Sequence, residues 1–368
     1  MITELPIFGI CGRHESGKTT LIEALLPALR AAEISVAVAK IHASVIDVDR
    51  EGKDSDRLFR AGADVFLEGA AEGFARTRPA PERPEEKGVR HLLPVGPEGA
   101  CAQKVPDPFF FDLARRYDLV LVEGRKRFEG TKVWLLGEGE TAAPEEVNGA
   151  LAVLSRDADR LEAVRRLLAE WLPKQWLRTP VWGCVLIGGR SRRMGTPKHL
   201  LRRGDRAWLE HTRDVLARVC ERVVIVGGGE LPAGLKDATR LPDAPDVEGP
   251  MAGILSAMRW APWVSWVVSS CDLPNLSTEA LDWLLSTRRS GVWATLPRLE
   301  SRPGVEPLLA HYDFRARALL ETLAAERRFS PSQLGGLAKV ISPTPPAAIA
   351  SAWDNVNTPE ELGRSPSA

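Results

Sequence analysis

The sequence has few cysteines, no excess of either charge and no long apolar run. Its five cysteines are scattered without a C-x-x-C pair, so neither a zinc finger nor a dithiol redox site is expected. Lysine plus arginine equals aspartate plus glutamate at 49 each, which gives no overall field to attract nucleic acid or an anionic membrane. No apolar stretch approaches the length of a membrane span, and no leader segment is recognised. These features favour a protein of the reducing cytoplasm in which any anion site is local.

The 368 residues are more than a single core usually holds, and strand-like and helix-like segments alternate in both halves of the chain. Between the halves, helical periodicity ends at Pro173 and a new apolar strand begins soon afterwards. We therefore predict an α/β domain at residues 1–172, a linker at 173–180 and a second α/β domain at 181–368. Each domain is expected to contain a mostly parallel sheet, in which ligands bind at the carboxyl ends of the strands.

Apolar periodicity predicts the elements of both domains. Strands are predicted at residues 5–11, 34–41, 117–123, 133–136, 150–154, 181–187, 223–226, 265–271 and 292–296, and helices at 18–30, 158–171, 208–219, 252–260, 278–287 and 314–327. Residues 71–103 lack periodicity and are rich in proline, glycine and arginine, so they are expected to be mostly loop. In each domain a glycine-rich segment follows the first predicted strand.

The first of these glycine-rich segments fits the pattern G-x-x-x-x-G-K-[ST], with a strand predicted before it and a helix after it. In such a loop the backbone N–H groups converge on phosphate oxygens, Lys18 supplies a positive charge and Thr19 offers a hydroxyl group to magnesium. The sequence therefore predicts a nucleotide site. Its residues are Gly12, Arg13, His14, Glu15, Ser16, Gly17, Lys18, Thr19 and Thr20.

Residues farther along the first domain resemble a known family. The segments at 46–55, 60–63 and 121–124 are similar to those of the MobB-type GTP-binding adaptor proteins of molybdenum cofactor biosynthesis, and the resemblance covers most of residues 5–171. It implies a P-loop NTPase-like three-layer domain whose loop binds GTP, with slow hydrolysis.

The same resemblance implies a metal site beside the loop. Asp49 and Glu123 match the carboxylates expected near magnesium, together with Thr19. The alternative for Asp49 is a solvated surface charge. The family usually carries a Lys-His-Thr-His-like run after its second strand, whereas this chain has Lys40, Ile41, His42 and Ala43. Only one of the two expected histidines is therefore present.

The second glycine-rich segment, residues 186–198, fits the longer string L-x-G-G-x-S-x-R-M-G-x-x-K. Gly188 and Gly189 allow the backbone to approach a ligand closely, because they lack a side chain. Arg193 offers planar donors to phosphate oxygens, and Lys198 adds charge at the far end of the loop. So many specified positions rarely coincide by chance, and the sequence predicts a second, chemically different triphosphate site.

This string is similar to that of nucleotidyltransferases of the glycosyltransferase-A-like, Rossmann-like class. Asp243 precedes a Gly-Pro-Met-Ala-Gly-Ile run at 249–254, Asp272 ends a predicted buried strand within the run Ser-Cys-Asp-Leu-Pro at 270–274, and Asn-Val-Asn-Thr-Pro lies within 355–362. With these matches, residues 181–364 resemble molybdenum cofactor guanylyltransferase, the MobA family.

The resemblance implies transfer of GMP from GTP to molybdopterin with Mg²⁺ as cofactor. Asp272 would hold the magnesium, while Arg193 and Lys198 would offset charge on the leaving pyrophosphate, so these three residues are the predicted catalytic set. The other implied contacts are Leu186, Ile187, Gly188, Gly189 and Asp243 for GTP, shared with Lys198 and Asp272, and Asn355 and Asn357 for the pterin.

Some positions keep an alternative interpretation or depart from the family. Asn355 and Asn357 are also typical turn formers before a helix, and Asp272 is also compatible with a simple strand-end cap. Pro197 stands where the family often has aspartate, and Gly227 stands where it tends to have asparagine. The residues interpreted as core or interface rather than ligand-binding are Trp260, Trp263, Trp266 and Cys271.

The leading hypothesis is a natural fusion of a GTP-binding adaptor with a guanylyltransferase. GTP and molybdopterin or the molybdenum cofactor are the expected ligands, and a molybdopterin insertase, molybdoenzyme apoproteins or their chaperones are the partners that the resemblance implies. Neither nucleic acid nor a membrane is expected as a partner. The alternatives are a cytidylyltransferase on the same pterin, a sugar-phosphate nucleotidyltransferase, and a carrier of finished cofactor with its P-loop as a switch.

Overall fold

The computed structural model describes residues 5–41, 54–68, 73–78, 108–124, 128–188 and 197–356. The chain divides into two compact units, and the main division falls between Arg178 and Thr179. Each unit is described by itself below. The domain limits drawn from the sequence stay a prediction.

Among its described residues the first unit contains one sheet covered by helices. Its strands are β1 (Ile7–Gly12), β2 (Val36–Ile41), β3 (Asp64–Glu68), β4 (Gly73–Arg76), β5 (Leu119–Gly124), β6 (Lys132–Leu135) and β7 (Ala150–Leu154). Its helices are α1 (Lys18–Ala31), α2 (Asp54–Ala61), α3 (Pro108–Ala114) and α4 (Arg160–Leu177). The strand order is β4-β3-β2-β5-β1-β6-β7, and all pairs are parallel except β3 with β4.

The centre of this sheet is formed by β2, β5 and β1. Every residue of β1 and β5 is buried, as expected for parallel strands covered on both faces. Helix α1 follows β1 and packs through Leu21, Ile22, Leu25 and Leu26, whose spacing places them on one face. The strand-loop-helix order predicted around the first glycine-rich segment is therefore confirmed.

Two details of the first unit correct the sequence prediction. Residues 73–76, expected to be loop, form the edge strand β4, which pairs with β3 although it is too short to show periodicity. Helix α4 does not end at Pro173 but continues to Leu177. Contacts beyond the proline offset the lost backbone hydrogen bond, because Gln175 Nε2 donates to the Leu5 carbonyl at 3.2 Å and the Trp176 indole donates to another buried carbonyl.

The second unit contains a seven-stranded sheet and a small hairpin among its described residues. Its strands are β8 (Val181–Leu186), β9 (Arg202–Arg203), β10 (Arg206–Ala207), β11 (Arg222–Val226), β12 (Arg240–Leu241), β13 (Ser265–Ser270), β14 (Ala294–Thr295), β15 (Leu309–Tyr312) and β16 (Val340–Ile341). Its α-helices are α5 (Trp208–Leu216), α6 (Pro250–Trp260), α7 (Thr278–Ser286) and α8 (Ala316–Ala325), with short 3-10 helices at Lys198–Leu200, Ala233–Leu235, Pro331–Leu334 and Ala350–Trp353.

The order of the large sheet is β12-β11-β8-β13-β15-β14-β16. Its first four strands are parallel, and Leu186 at the end of β8 lies opposite Val226 and Ser270 on the neighbouring strands. Several carboxyl ends therefore meet at one edge. Strand β15 runs antiparallel between β13 and β14 and was not predicted from the sequence.

The predicted α/β class is confirmed in both units, as is the core interpretation of the aromatic residues around β13. Trp266 is fully buried, and its ring meets that of Trp182 edge to face at 5.8 Å between centroids. Burial raises the pKa of the Cys271 thiol to about 12, which suits a core residue rather than a nucleophile. Within the described ranges, no helix has both the length and the hydropathy needed to cross a bilayer.

Candidate functional site

The first glycine-rich segment connects the buried end of β1 to the first turn of α1. Gly17 precedes the helix with φ +87°, a backbone conformation that glycine adopts without strain. Gly12 is needed for close packing, because a Cβ there would lie 2.7 Å from the Leu135 carbonyl oxygen. Lys18 Nζ donates to the Arg13 carbonyl at 2.6 Å, so its ammonium lies over the loop. This is the arrangement that backbone binding of phosphates requires.

Arg160, at the start of α4, braces this loop through hydrogen bonds to backbone carbonyl groups. Its guanidinium donates to the carbonyl oxygens of Ser16 at 2.7 Å and Leu136 at 2.6 Å, and its Nε donates to the Ser155 carbonyl at 2.7 Å. One side chain thus joins the phosphate loop to the segments after β6 and β7. Sequence reasoning missed Arg160, since no local pattern marks a contact with a residue 144 positions away.

Beside the loop lies a cluster of Thr19, Lys40, Asp54 and Glu123, which we call the Lys40 cluster. Thr19 Oγ1 donates to Glu123 Oε1 at 2.9 Å and lies 3.2 Å from Asp54 Oδ2. Lys40 Nζ lies 2.7 Å from Asp54 Oδ2 and 3.4 Å from Glu123 Oε1. The predicted Thr19 and Glu123 therefore come together.

The other acidic residue predicted here, Asp49, lies outside the described residues, and Asp54 is the described carboxylate that lies with Thr19 and Glu123. Asp54 stands in the same run quoted for the family resemblance, so its signal was present and was assigned to another position. Burial, the largest single influence, opposes its ionisation. The hydrogen bond and charge of Lys40, with Thr19 and Arg57, outweigh that effect and hold the pKa of Asp54 below its usual value.

The oxygen ligands that the Lys40 cluster offers fit a magnesium ion. A hydroxyl and two carboxylates are the hard oxygen ligands that Mg²⁺ prefers. Glu123 is 7% exposed, and its Oε2 has no hydrogen-bond partner among the described residues, so this buried oxygen has free lone pairs. Within the described part of the chain, no group of three or more His, Cys, Asp or Glu side chains is arranged to hold a metal. A magnesium ion held by the Lys40 cluster would therefore complete its coordination shell with nucleotide phosphates and water.

In the second unit the predicted residues follow neighbouring strands of one sheet edge. Asp243 comes after β12, Gly227 after β11, Gly188 after β8 and Asp272 after β13. The carboxyl edge of parallel strands is where ligands of such sheets bind. The structure therefore aligns three predicted site residues, Gly188, Asp243 and Asp272, along a single edge, together with Gly227, which the sequence marked only as a departure from the family.

Lys198 and Asp272 form the charged end of this edge. Lys198 Nζ donates to Asp272 Oδ2 at 2.7 Å, and the two side chains are 19% and 15% exposed. The Val356 N–H donates to the Asp272 carbonyl at 3.1 Å, which brings the exposed Asn355 beside the same aspartate. Three of the residues predicted for catalysis and pterin binding thus lie together.

Asp243 lies at the other end of the edge, against helix α6. Gly253 of that helix packs so closely that a Cβ would lie 2.6 Å from Leu186 Cδ2 and 3.4 Å from Asp243 Oδ1. Burial raises the pKa of the Asp243 carboxyl group. Three strand spacings, roughly 14 Å, separate β12 from β13, the strands that Asp243 and Asp272 follow.

Between these ends lies a corner made of glycine backbone. Gly227 has φ +120°, and a Cβ there would lie 1.9 Å from the Ile187 carbonyl oxygen. Gly188 also has a positive φ, and Arg240 donates from Nε and Nη2 to the Gly227 carbonyl at 3.0 and 2.8 Å. With this geometry the backbone at position 227 leaves no room for a side chain.

His199 supports the same corner. Its Nε2 lies 2.8 Å from the Glu230 carbonyl, and its ring would be 2.9 Å from a Cβ at Gly229. Burial lowers the pKa of His199, so the ring is neutral at neutral pH. Neither His199 nor Arg240 was predicted. Predicted residues that lie outside the described ranges are Gly189, Arg193 and Asn357.

Comparison with known proteins identifies both parts of the chain. Residues 183–337 match the family model of the MobA-like NTP transferase domain, and residues 7–93 match that of molybdopterin guanine dinucleotide synthesis protein B. A Bacillus cereus protein named as a probable molybdenum cofactor guanylyltransferase is 30% identical over 189 residues, which are 50% of this chain and 94% of that protein. The chain belongs to this guanylyltransferase family. The predicted family resemblances of the two domains are therefore confirmed.

Two further relatives show the extent of the match. A Synechocystis protein named as a molybdenum cofactor biosynthesis bifunctional protein is 30% identical over 191 residues, which cover 51% of this chain and 54% of that protein, so the match spans about half of its length. The crystal structure of molybdopterin-guanine dinucleotide biosynthesis protein A from Archaeoglobus fulgidus is 25% identical and covers 50% of this chain and 95% of its own, with a TM-score of 0.43.

Proposed function

We propose that this member of the family transfers GMP from GTP to molybdopterin, releasing pyrophosphate, and that its first unit is a fused GTP-binding adaptor. The observation that carries the proposal is the single sheet edge on which Asp243, Gly188 and Asp272 follow neighbouring strands. Its span of roughly 14 Å suits a nucleotide lying across the strands, with guanosine toward Asp243 and phosphates toward Asp272.

The reaction needs positioning and charge neutralisation more than covalent catalysis. A phosphate oxygen of the pterin attacks the α-phosphorus of GTP, the new phosphoanhydride bond forms as the bond to pyrophosphate breaks, and the leaving group carries away the released charge. Lys198 is placed to donate to those oxygens, because its ammonium already lies at the phosphate end of the edge. Arg193 would add planar donors from the same loop.

Asp272 fits a magnesium-binding role, since a part-buried carboxylate at a strand end can share an ion with substrate phosphates. Magnesium would neutralise charge on the triphosphate. Asn355 is exposed beside Asp272, where its amide can both donate to and accept from a pterin. We assign Asn355 and Asn357 to the acceptor side of the site.

The first unit would hold GTP on residues 12–20 with a magnesium ion near Thr19 and Glu123. Joining the two units in one chain raises the local concentration of each for the other, which helps the transfer of GTP or of a labile product. The buried, unpaired cysteines at 11, 184, 220 and 271 suit a reducing compartment such as the cytoplasm. A molybdopterin insertase, molybdoenzyme apoproteins and their chaperones are the proposed recipients of the product.

The test is pyrophosphate release by the purified protein with magnesium, molybdopterin and either GTP or CTP. We expect turnover with GTP that is lost in Asp272→Ala and retained in Lys18→Ala. Turnover with CTP instead would support the cytidylyltransferase, and tight GTP and cofactor binding without pyrophosphate would support a carrier. Loss of turnover in Lys18→Ala alone would place the chemistry in the first unit and contradict the proposal.

A further inference from the structure

The Lys40 cluster has one feature that a plain nucleotide site does not need. Thr19 and Lys40 are directed at the same two carboxylate oxygens, Glu123 Oε1 and Asp54 Oδ2, at distances between 2.7 and 3.4 Å. A divalent ion that bridged Thr19, Asp54 Oδ2 and Glu123 would take lone pairs of oxygens that Lys40 contacts, even where Glu123 Oε2 served as a further ligand. The ammonium and the ion would therefore occupy overlapping positions.

Burial makes this overlap costly. The side chains of Lys40 and Glu123 are 14% and 7% exposed, so little water screens the charges. Two carboxylates with one ammonium carry a net charge of about −1, whereas adding a divalent ion to all three would leave two cationic groups in contact. A buried carboxylate also needs a cationic or hydrogen-bonding partner at all times. Lys40 supplies that partner in the arrangement observed.

One polar atom of the cluster remains available to a ligand. Glu123 Oε2 is buried and has no hydrogen-bond partner among the described residues. An unpartnered oxygen on a residue otherwise held by Thr19 and Lys40 indicates a site with unused coordination capacity, since buried acceptors are seldom left without a donor.

We propose that Lys40 competes with the divalent ion for the carboxylates of the P-loop site, so that the ion binds well only with a nucleotide whose phosphates compensate the displaced ammonium. The inference rests on the proposed GTP-binding role of the first unit. The two lysines therefore act in opposite ways. Lys18 favours nucleotide binding, whereas removal of the Lys40 charge strengthens binding of the metal ion alone.

Among the described residues, Arg57 and Lys18 make contacts that differ from those of Lys40. Arg57 pairs with Glu23 at 2.6 Å, and its Nη1 approaches the outer oxygen of Asp54, Oδ1, at 3.9 Å. It therefore adds positive charge near Asp54 without contacting the shared oxygens. Lys18 Nζ is directed to the loop carbonyl of Arg13. Arg57→Met is consequently a matched control, because it removes one nearby charge and leaves the Lys40 contacts intact.

The experiment measures binding of Mn²⁺ alone to the full chain by electron paramagnetic resonance, in an Asp272→Ala background that removes the predicted metal ligand of the second unit. We expect Lys40→Met to bind Mn²⁺ at least about tenfold more tightly than the parent, a change that corresponds to about 1.4 kcal/mol. Arg57→Met should change the affinity much less. Lys40→Arg, which keeps the charge, should stay close to the parent.

A second neutral variant protects the test against misfolding. Lys40→Gln keeps donors for both carboxylates but lacks the charge, so it should also bind Mn²⁺ more tightly. Folding of each variant is checked by circular dichroism. If folded Lys40→Met and Lys40→Gln bind Mn²⁺ no better than the parent, the competition is disproved.

GTP binding to the parent, measured in parallel, separates this inference from the function on which it rests. Parent protein that binds no GTP would overturn the adaptor assignment whatever the Mn²⁺ result. Parent protein that binds GTP, with unchanged Mn²⁺ affinity in the Lys40 variants, would overturn only the competition.

Discussion

The two proposed phosphate sites pair a lysine with a strand-end carboxylate in different ways. In the first unit Lys40 belongs to a strand, β2, while the loop lysine, Lys18, contacts the loop itself. In the second unit the lysine that ends the glycine-rich segment, Lys198, contacts Asp272 directly at 2.7 Å. The first site thus separates phosphate binding from carboxylate neutralisation, and the second combines them in one side chain. A single lysine substitution should therefore cost more in the second site.

The sites also differ in what holds them in place. Arg160 braces the first loop with hydrogen bonds to carbonyl oxygens of three segments, so a side chain supports the backbone. In the second unit the corner depends on close backbone approach at Gly227, where no side chain fits. Replacing Arg160 should therefore weaken the support of the first loop, and adding a methyl group at Gly227 should disturb the backbone of the second site.

The largest expected effect is that of Lys198→Met on guanylyl transfer. Because this ammonium both pairs with Asp272 and reaches the phosphate end of the edge, its loss should lower kcat by about 100-fold to 1,000-fold. Steady-state pyrophosphate release measures it. Lys18→Met, the matched change in the first site, should leave kcat nearly unchanged. Equal losses in both variants would show that the two sites act as one.

Gly227→Ala should be the next largest change. Its Cβ would lie 1.9 Å from a backbone carbonyl at a residue with φ +120°, so the second unit should lose about 3 kcal/mol of unfolding free energy. Gly228→Ala is the control, because a Cβ there meets nothing within 4 Å. Urea unfolding of both variants measures the difference in unfolding free energy. Similar midpoints for the two would mean that the backbone near Ile187 yields easily.

The sequence predicted those parts of the sites that lie within one local pattern. Lys198 and Gly188 belong to one glycine-rich string, and Lys18 and Thr19 belong to another, so loop spacing alone located them. Asp272 was located because it ends a buried strand. Their meeting along one edge follows from the parallel order of the strands.

The parts that the sequence did not predict depend on contacts between distant segments. Arg160 reaches a carbonyl 144 positions away, and Asp54 reaches Thr19 across 35 positions. The antiparallel β15 was missed because a short buried strand in the middle of a sheet shows no alternation. Helix α4 passes Pro173 because tertiary contacts of its last turn outweigh the local preference.

Arg160→Met should have a moderate effect confined to the first site. Without the guanidinium, the carbonyl oxygens of Ser16 and Leu136 lose their donor and the loop loses its brace, so GTP affinity should fall about tenfold. Arg156→Met is the control, since Arg156 is exposed and pairs with the exposed Glu138. Equilibrium binding of a fluorescent GTP analogue measures the difference. An unchanged dissociation constant in Arg160→Met would show that the loop keeps its shape unaided.

The smallest expected effect is a difference between the two units in how their unfolding free energy depends on acid pH. His311, on β15, is buried, and neither ring nitrogen has a hydrogen-bond partner among the described residues. Burial, with the charge of Arg288 as a lesser cause, holds the pKa of His311 well below its ordinary value. The folded chain therefore keeps the ring neutral, while the unfolded chain binds a proton below about pH 6.5. Above that pH His311 has no effect on the pH dependence of unfolding, and below it proton uptake by the unfolded chain increasingly favours unfolding.

The acid dependence of unfolding tests this assignment. Below about pH 6.5 the second unit should lose at most about 1.4 kcal/mol per pH unit through His311, and His311→Leu should make the loss shallower. Some acid sensitivity will remain, because burial also lowers the pKa of His199. The first unit should respond less in this range, since no buried histidine is found among its described residues. Urea unfolding of the parent and variant between about pH 7.5 and 5 measures both slopes. If the unfolding free energy of the parent and that of His311→Leu fall equally steeply with pH, His311 takes up its proton without unfolding.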